Sequence, residues 1–209
     1  PTVFTGVVAI GSTSATAGTR IQESCGWGGA SAATLNIVLP SNAAADDIAI
    51  VSLYTQDDSG DPTSGAKFTL ITSNSVVGAG GRPSFRHCTY YRRVVAADLT
   101  DEAARVTTFT NFTGAAVVSA VVMLYRGALA SGSPVDVSAS ADISAPTTAT
   151  ALTAPAVTTT VDDTVLVTLF AQNAVSSSSV DGSGTGVLSR KVWWRQHNGG
   201  DAVWRTAGA

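Results

Sequence analysis

At 209 residues, 44 % of them hydrophobic, the chain can bury a core, as one large β domain or as two small ones. Only 13 % of its residues are charged, about half the usual fraction for a soluble domain. The 12 basic and 15 acidic side chains leave a net charge of −3, which excludes the positive field needed to gather nucleic acid or an anionic membrane.

In chain order, Pro1 to Phe4 has neither a basic n-region nor an apolar h-region, so no signal peptide is expected. The leading proline is compatible with removal of an initiator methionine. Val3 to Ile10 alternates loosely and predicts a first strand, followed by a loop over Gly11 to Gly18. Cys25 to Gly29, with Trp27 among three glycines, reads as a turn. Ala33 to Leu39 predicts a strand ended by Pro40. Gln56 to Gly65 reads as a surface loop, Lys67 to Thr72 as a short strand and Ser73 to Pro83 as a loop.

Phe85 to Val95 predicts a strand with basic or aromatic residues on both faces: Phe85, His87, Tyr91 and Arg93 on one, Arg86, Tyr90 and Arg92 on the other. It does not suit a wholly dry core. A turn over Ala96 to Ala103 leads to a strand at Arg105 to Phe112. That strand is expected to form a hairpin with Ala115 to Arg126 through Asn111 to Gly114. Val135 to Ala139 predicts another strand, Pro146 to Pro155 an extended threonine-rich approach, and Ser176 to Gly186 a serine- and glycine-rich loop. Val187 to Arg195, with Trp193 and Trp194, is expected as the last strand, before a short tail containing Trp204.

Within this order one stretch occurs twice. Asp46-Asp47 to Gln56 returns as Asp162-Asp163 to Gln172. Both copies read as strands, with Ala49, Val51, Leu53 and Thr55 on one face matched by Val165, Val167, Leu169 and Ala171. The other face, Ile50 and Tyr54 or Leu166 and Phe170, is apolar enough to be covered as well. The paired aspartates read as turn residues ahead of an extended run. No helical periodicity extends over ten residues. The expectation is an all-β, antiparallel β-sandwich, jelly-roll-like with two related halves, as a single domain over 1–209 with a loop-rich C-terminal tail.

Signs of chemistry are sparse. No glycine-flanked serine has the spacing of a hydrolase elbow. His87 and Cys88 lack the second pair that zinc needs, and His197 stands alone. Glutamate occurs only at Glu23 and Glu102, so a carboxylate-pair hydrolase remains a minor alternative. Asp57, Asp58 and Asp61 form the best calcium candidate, against a plain solvated acidic loop. No cofactor is expected. Cys25 and Cys88 are read as ordinary thiols rather than a disulfide. Trp193, Trp194 and Trp204, with Phe85, Arg86, Tyr90, Tyr91, Arg92 and Arg93, are candidates for subunit contacts. The tryptophans could instead form a platform for sugar rings.

From Val3 to Phe170 the chain resembles β-sandwich proteins of bacteriophage virions, of the capsid decoration or cement, head-fibre and tail-associated type. The matching pieces are the Asp46-Asp47 turn, the Tyr90-Tyr91-Arg92 strand, Val122 to Gly127, the Ser133 to Asp136 turn and the Thr153 to Pro155 approach to Asp162-Asp163. The part after Ser176 departs from that pattern. The resemblance implies a non-enzymatic structural protein, made in the host bacterial cytoplasm and placed on the capsid surface. Its implied partners are the major capsid protein and further copies of itself, as a trimer, with no nucleic acid or membrane. The alternative is a tail or fibre recognition module that binds glycan, or a carbohydrate-binding module.

Overall fold

The computed structural model describes the chain apart from residues 1, 12–18, 30–32, 56–59, 77–84, 113–117, 144–154, 161–163, 174–186, 196–199 and 209. For residues 2–5, 19–29, 76, 85, 119, 141–143, 170–173, 187–195 and 200–208 it describes the backbone alone. Among the described residues there are twelve strands: β1 Thr2–Ile10, β2 Thr19–Gly29, β3 Leu35–Val38, β4 Ile48–Thr55, β5 Thr69–Val76, β6 Phe85–Arg93, β7 Val106–Phe109, β8 Val118–Arg126, β9 Val135–Ile143, β10 Val165–Asn173, β11 Val187–Arg195 and β12 Gly200–Gly208. A 3-10 turn, Ala96–Leu99, follows β6. The fold is all-β, and every pairing between its strands is antiparallel.

Three sheets form three layers. One five-stranded sheet has the order β11-β12-β10-β1-β9, the second has β2-β8-β4-β6-β5, and β3 pairs with β7. Ile48, Ile50, Val121, Met123 and Tyr125 of the second sheet pack against Val8, Ile10, Val167 and Leu169 of the first. On its opposite face, Ala49, Val51, Leu53, Val122 and Leu124 pack against Leu35, Ile37 and Phe109 of the β3–β7 pair. The second sheet is therefore the middle layer, which explains why all eight residues of β4 are buried. Near-continuous apolar runs suit strands covered on both faces, whereas β7, with Thr108 exposed between buried Thr107 and Phe109, suits an outer layer.

The two repeat copies occupy equivalent places. Each is the middle strand of its own five-stranded sheet. Their faces, however, are used differently. Val167 and Leu169 face the core between the large sheets, while the matching Val51 and Leu53 face the core under β3–β7. Corresponding faces thus turn toward the next layer in the same sense instead of turning toward each other. The Asp162-Asp163 turn lies outside the described residues.

Several expected elements change. β7 and β8 do not form a hairpin: β7 pairs with β3, and β8 lies between β2 and β4. An apolar strand buried on both faces belongs inside the middle sheet with both edges paired, which the half-exposed β7 does not. Cys25 to Gly29 is not a turn but the end of β2, whose register with β8 shifts at Arg20/Gln22 and at Trp27/Gly29; glycines in a strand commonly mark such bulges. β5 runs through Ser73 to Val76, where a loop was expected, because pairing with β6 sustains a polar edge strand. Trp204 lies in no tail but in β12, opposite Leu169 of β10 and Val192 of β11.

Candidate functional site

β6 holds most of the candidate residues, and its neighbours β4 and β5 decide what each can do. Alternation places His87, Thr89 and Tyr91 toward the first sheet, and Arg86, Cys88, Tyr90 and Arg92 toward the β3–β7 layer. Tyr91 packs against the inter-sheet core, whereas Cys88 and Tyr90 belong to the other one.

On the inter-sheet side, Ser52 Oγ and His87 Nε2 share a buried hydrogen bond of 2.5 Å across the β4–β6 pair. Burial pushes the His87 imidazole down to about 4, so it is neutral at ordinary pH. The Thr89 hydroxyl, opposite Ser52 in register, is buried without a hydrogen-bond partner.

The opposite face carries a polar string. Arg86 Nη1 bonds Asp61 Oδ1 at 2.6 Å and Ser73 Oγ at 2.9 Å, and Ser73 donates to the same carboxylate oxygen. Cys88, fully buried beside them, has its thiol pushed up to about 11, chiefly by burial, which makes it a poor nucleophile. Tyr90 donates its hydroxyl to the Pro62 carbonyl, and burial raises its pKa. Its ring meets Phe109 edge-on at 5.0 Å. The Arg92 guanidinium bonds Asp98 and Thr107 and lies 5.8 Å from the Phe68 ring centroid.

Tyr90 and Arg92 were expected to touch a neighbouring subunit. Both are instead buried in the chain with their polar ends bonded inside it. Arg93 donates to the Leu129 carbonyl and stays partly exposed, as do Tyr91 and Arg86. The Phe85 side chain lies outside what is described. Trp193 and Trp194 sit on β11 and Trp204 on β12, away from β6 and in the other large sheet, so the structure splits the nine candidates into two groups. Register puts Trp204 level with Leu169. Trp193 is level with Val203 of β12, which is level with Phe170 of β10.

For the calcium candidate, Asp57 and Asp58 lie outside the described residues, and Asp61 is engaged by Arg86 and Ser73. No group of three or more potential metal ligands occurs among the described residues. Cys25 and Cys88 are on strands three steps apart, along Cys25–Val121, Val121–Ser52 and Ser52–Thr89. At about 4.8 Å per step that is roughly 14 Å, beyond the reach of a disulfide, and Cys88 is free.

One fastening escaped the sequence reading. The Asp47 carboxylate, 1 % exposed, accepts Arg126 Nε and Nη2, both at 2.8 Å, and the Ala44 amide at 2.8 Å. The bond to Asp47 raises the pKa of Arg126. The recurring Asp-Asp pair was the available signal, but nothing in spacing names an arginine 79 residues away. Asp46 takes a left-handed φ of 68° at the turn, a conformation that aspartate tolerates better than most residues. Compared with known proteins, the chain matches no protein-family model, no curated protein and no solved structure.

Proposed function

We propose that the chain is a bacteriophage virion structural protein, a capsid decoration or cement protein with a jelly-roll sandwich that binds the outer capsid surface. The observation that carries this reading is the set of sequence pieces resembling phage sandwich proteins. Two of them, the Asp46-Asp47 turn and the segment through Arg126, meet in the Asp47–Arg126 ion pair. A third, Tyr90-Tyr91-Arg92, contributes Arg92 to a second ion pair, with Asp98. Sparse charge is also in keeping with a protein that packs against other subunits, because few ions need desolvating.

The mechanism is thermodynamic. A protein that binds only the assembled lattice stabilises that lattice, by about 3 kcal/mol per site at a hundredfold excess over its dissociation constant. Co-sedimentation with empty capsids tests this: the chain should pellet with shells and raise their melting temperature. A chain left in the supernatant at micromolar concentration overturns it. The adjacent Trp193 and Trp194 on β11 favour glycan recognition as the second reading. A glycan array with Trp193→Ala as control decides between them.

A further inference from the structure

The chain contains one Asp–Pro bond, Asp61–Pro62, and the fold clamps it on both sides. Asn111 Nδ2 donates to the Asp61 carbonyl oxygen at 2.9 Å. Next along, the Pro62 carbonyl accepts the Tyr90 hydroxyl, and Thr63 exchanges both of its backbone bonds with Thr110. On the aspartate side chain, Ser73 Oγ, Arg86 Nη1 and the Cys88 thiol all bond Oδ1, so among the described residues Oδ2 is the oxygen left over. A Cβ at Gly60 would come within 3.1 Å of Asn111 Nδ2, so the glycine is what lets that amide lie over the bond. We propose that Asp61–Pro62 is a self-cleavage site, where the Asp61 carboxyl attacks its own carbonyl carbon while Asn111 holds the carbonyl oxygen.

The chemistry needs only this residue, its proline neighbour and water. Oδ2 and the carbonyl carbon belong to the same residue, so attack closes a five-membered ring with no encounter to arrange. With the side chain as a carboxylic acid, an Oδ2–C bond forms, the C–N bond to Pro62 breaks, and the carboxyl proton passes to the proline nitrogen. That leaves a cyclic anhydride on Asp61 and a free secondary amine on Pro62. Water then opens the anhydride to two carboxyl groups, so the net change is hydrolysis, with nothing oxidised or reduced. The Asp61 side chain is 39 % exposed, which gives water that access. Negative charge builds on the carbonyl oxygen during attack, and a donor already aimed at that atom stabilises it. An ionised carboxylate has no proton to hand over, so the cut is made in acid. The titratable groups facing the bond are Arg86, Cys88 and Tyr90 of β6, and Asp57 and Asp58 lie outside the described residues. In acid Arg86 stays charged while Cys88 and Tyr90 stay neutral, so among these Asp61 alone changes form. The cut falls between β4 and β5, which both pair with β6 in the middle sheet, so the two pieces stay together in the fold. This activity is independent of capsid binding.

The test incubates the full chain at pH 5, with circular dichroism confirming the native fold, and in parallel in concentrated urea at the same pH. Intact mass after denaturation should show a pair of fragments, one ending at Asp61 and one beginning at Pro62, formed about tenfold faster in the native chain than in the unfolded one. Asn111→Gly keeps the left-handed backbone, φ 70°, and deletes the amide. It should slow the native reaction about tenfold and leave the rate in urea unchanged. Asp61→Glu keeps a carboxylate but would have to close a six-membered ring, and should stay uncut. A native chain cut no faster than the unfolded one overturns the proposal. So does an Asn111→Gly chain cut at the wild-type native rate, or an Asp61→Glu chain cut at the same bond. Should Asn111→Gly fail to fold, the comparison of native and unfolded rates still decides, because it uses the unaltered protein.

Discussion

Arg126 grips Asp47 with two nitrogens, one on each carboxylate oxygen, and so ties the end of β8 to the turn that launches β4. The pair is lopsided: half of the arginine side chain meets solvent, while the aspartate is buried. Its value therefore lies mainly in not leaving Asp47 uncompensated. Arg126→Ala should lower stability by about 2 kcal/mol, less than a fully buried broken pair costs. Arg126→Lys should recover only part, because an ammonium lacks the planar fork. Urea unfolding midpoints of the three proteins check this.

His87 should make the protein acid-sensitive in a defined window. Its pKa falls from 6.5 in the unfolded chain to about 4 in the folded one, because burial disfavours the charged imidazole. The unfolded state therefore takes up the proton first. Stability is full above about pH 6.5, declines as pH falls toward 4 and levels off below it, a loss on the order of 3 kcal/mol. In His87→Gln the pH 7 to pH 4 difference in urea midpoint should shrink. An unchanged difference would assign the acid response to other groups.

Cys88 should resist alkylation in the native state and react once the chain is unfolded, since its thiol is inaccessible and its pKa is raised. Intact mass after iodoacetamide, with and without guanidinium, reads this directly. Under non-reducing conditions the two cysteines should count as two thiols.

Phe109 should be the costliest single truncation in the outer layer. It is wholly buried, with the Phe68 ring tilted against it at 5.6 Å and the Tyr90 ring edge-on at 5.0 Å between centroids. Phe109→Ala should cost about 4 kcal/mol. Tyr90→Phe, which removes the hydroxyl's bonds to the Pro62 carbonyl and to Cys88, should cost about 1 kcal/mol. Thermal melts of both variants give the comparison.

Most strands were readable because their patterns are local, but the glycine-rich end of β2 reads as a turn and β12 as a tail. The expected span of Val187 to Arg195 is β11, and both repeat copies are strands with the faces assigned to them. Pairing was not readable, since short separation suggested that β7 joins β8, and only the three-layer arrangement sends β7 to β3. The candidate contact residues show the same limit. Arginine and tyrosine on a strand look like surface groups until partners such as Asp98 and the Pro62 carbonyl are in place. Those partners come from separate turns, and composition carries no sign of them.

The place of β1 sets a timetable for synthesis. The middle sheet draws on residues 19–126, but β1 pairs with β9 and β10, so Ile10 meets Val165 and Thr2 meets Asn173. A ribosome adding roughly 5–20 residues per second needs about 6–25 s to go from Ile10 to Val135, its partner on β9. For that time Val7 to Ile10, all buried in the finished fold, wait without a partner. Until then this stretch of nascent chain is a sticky one, and a chaperone would act on it before its own sheet forms.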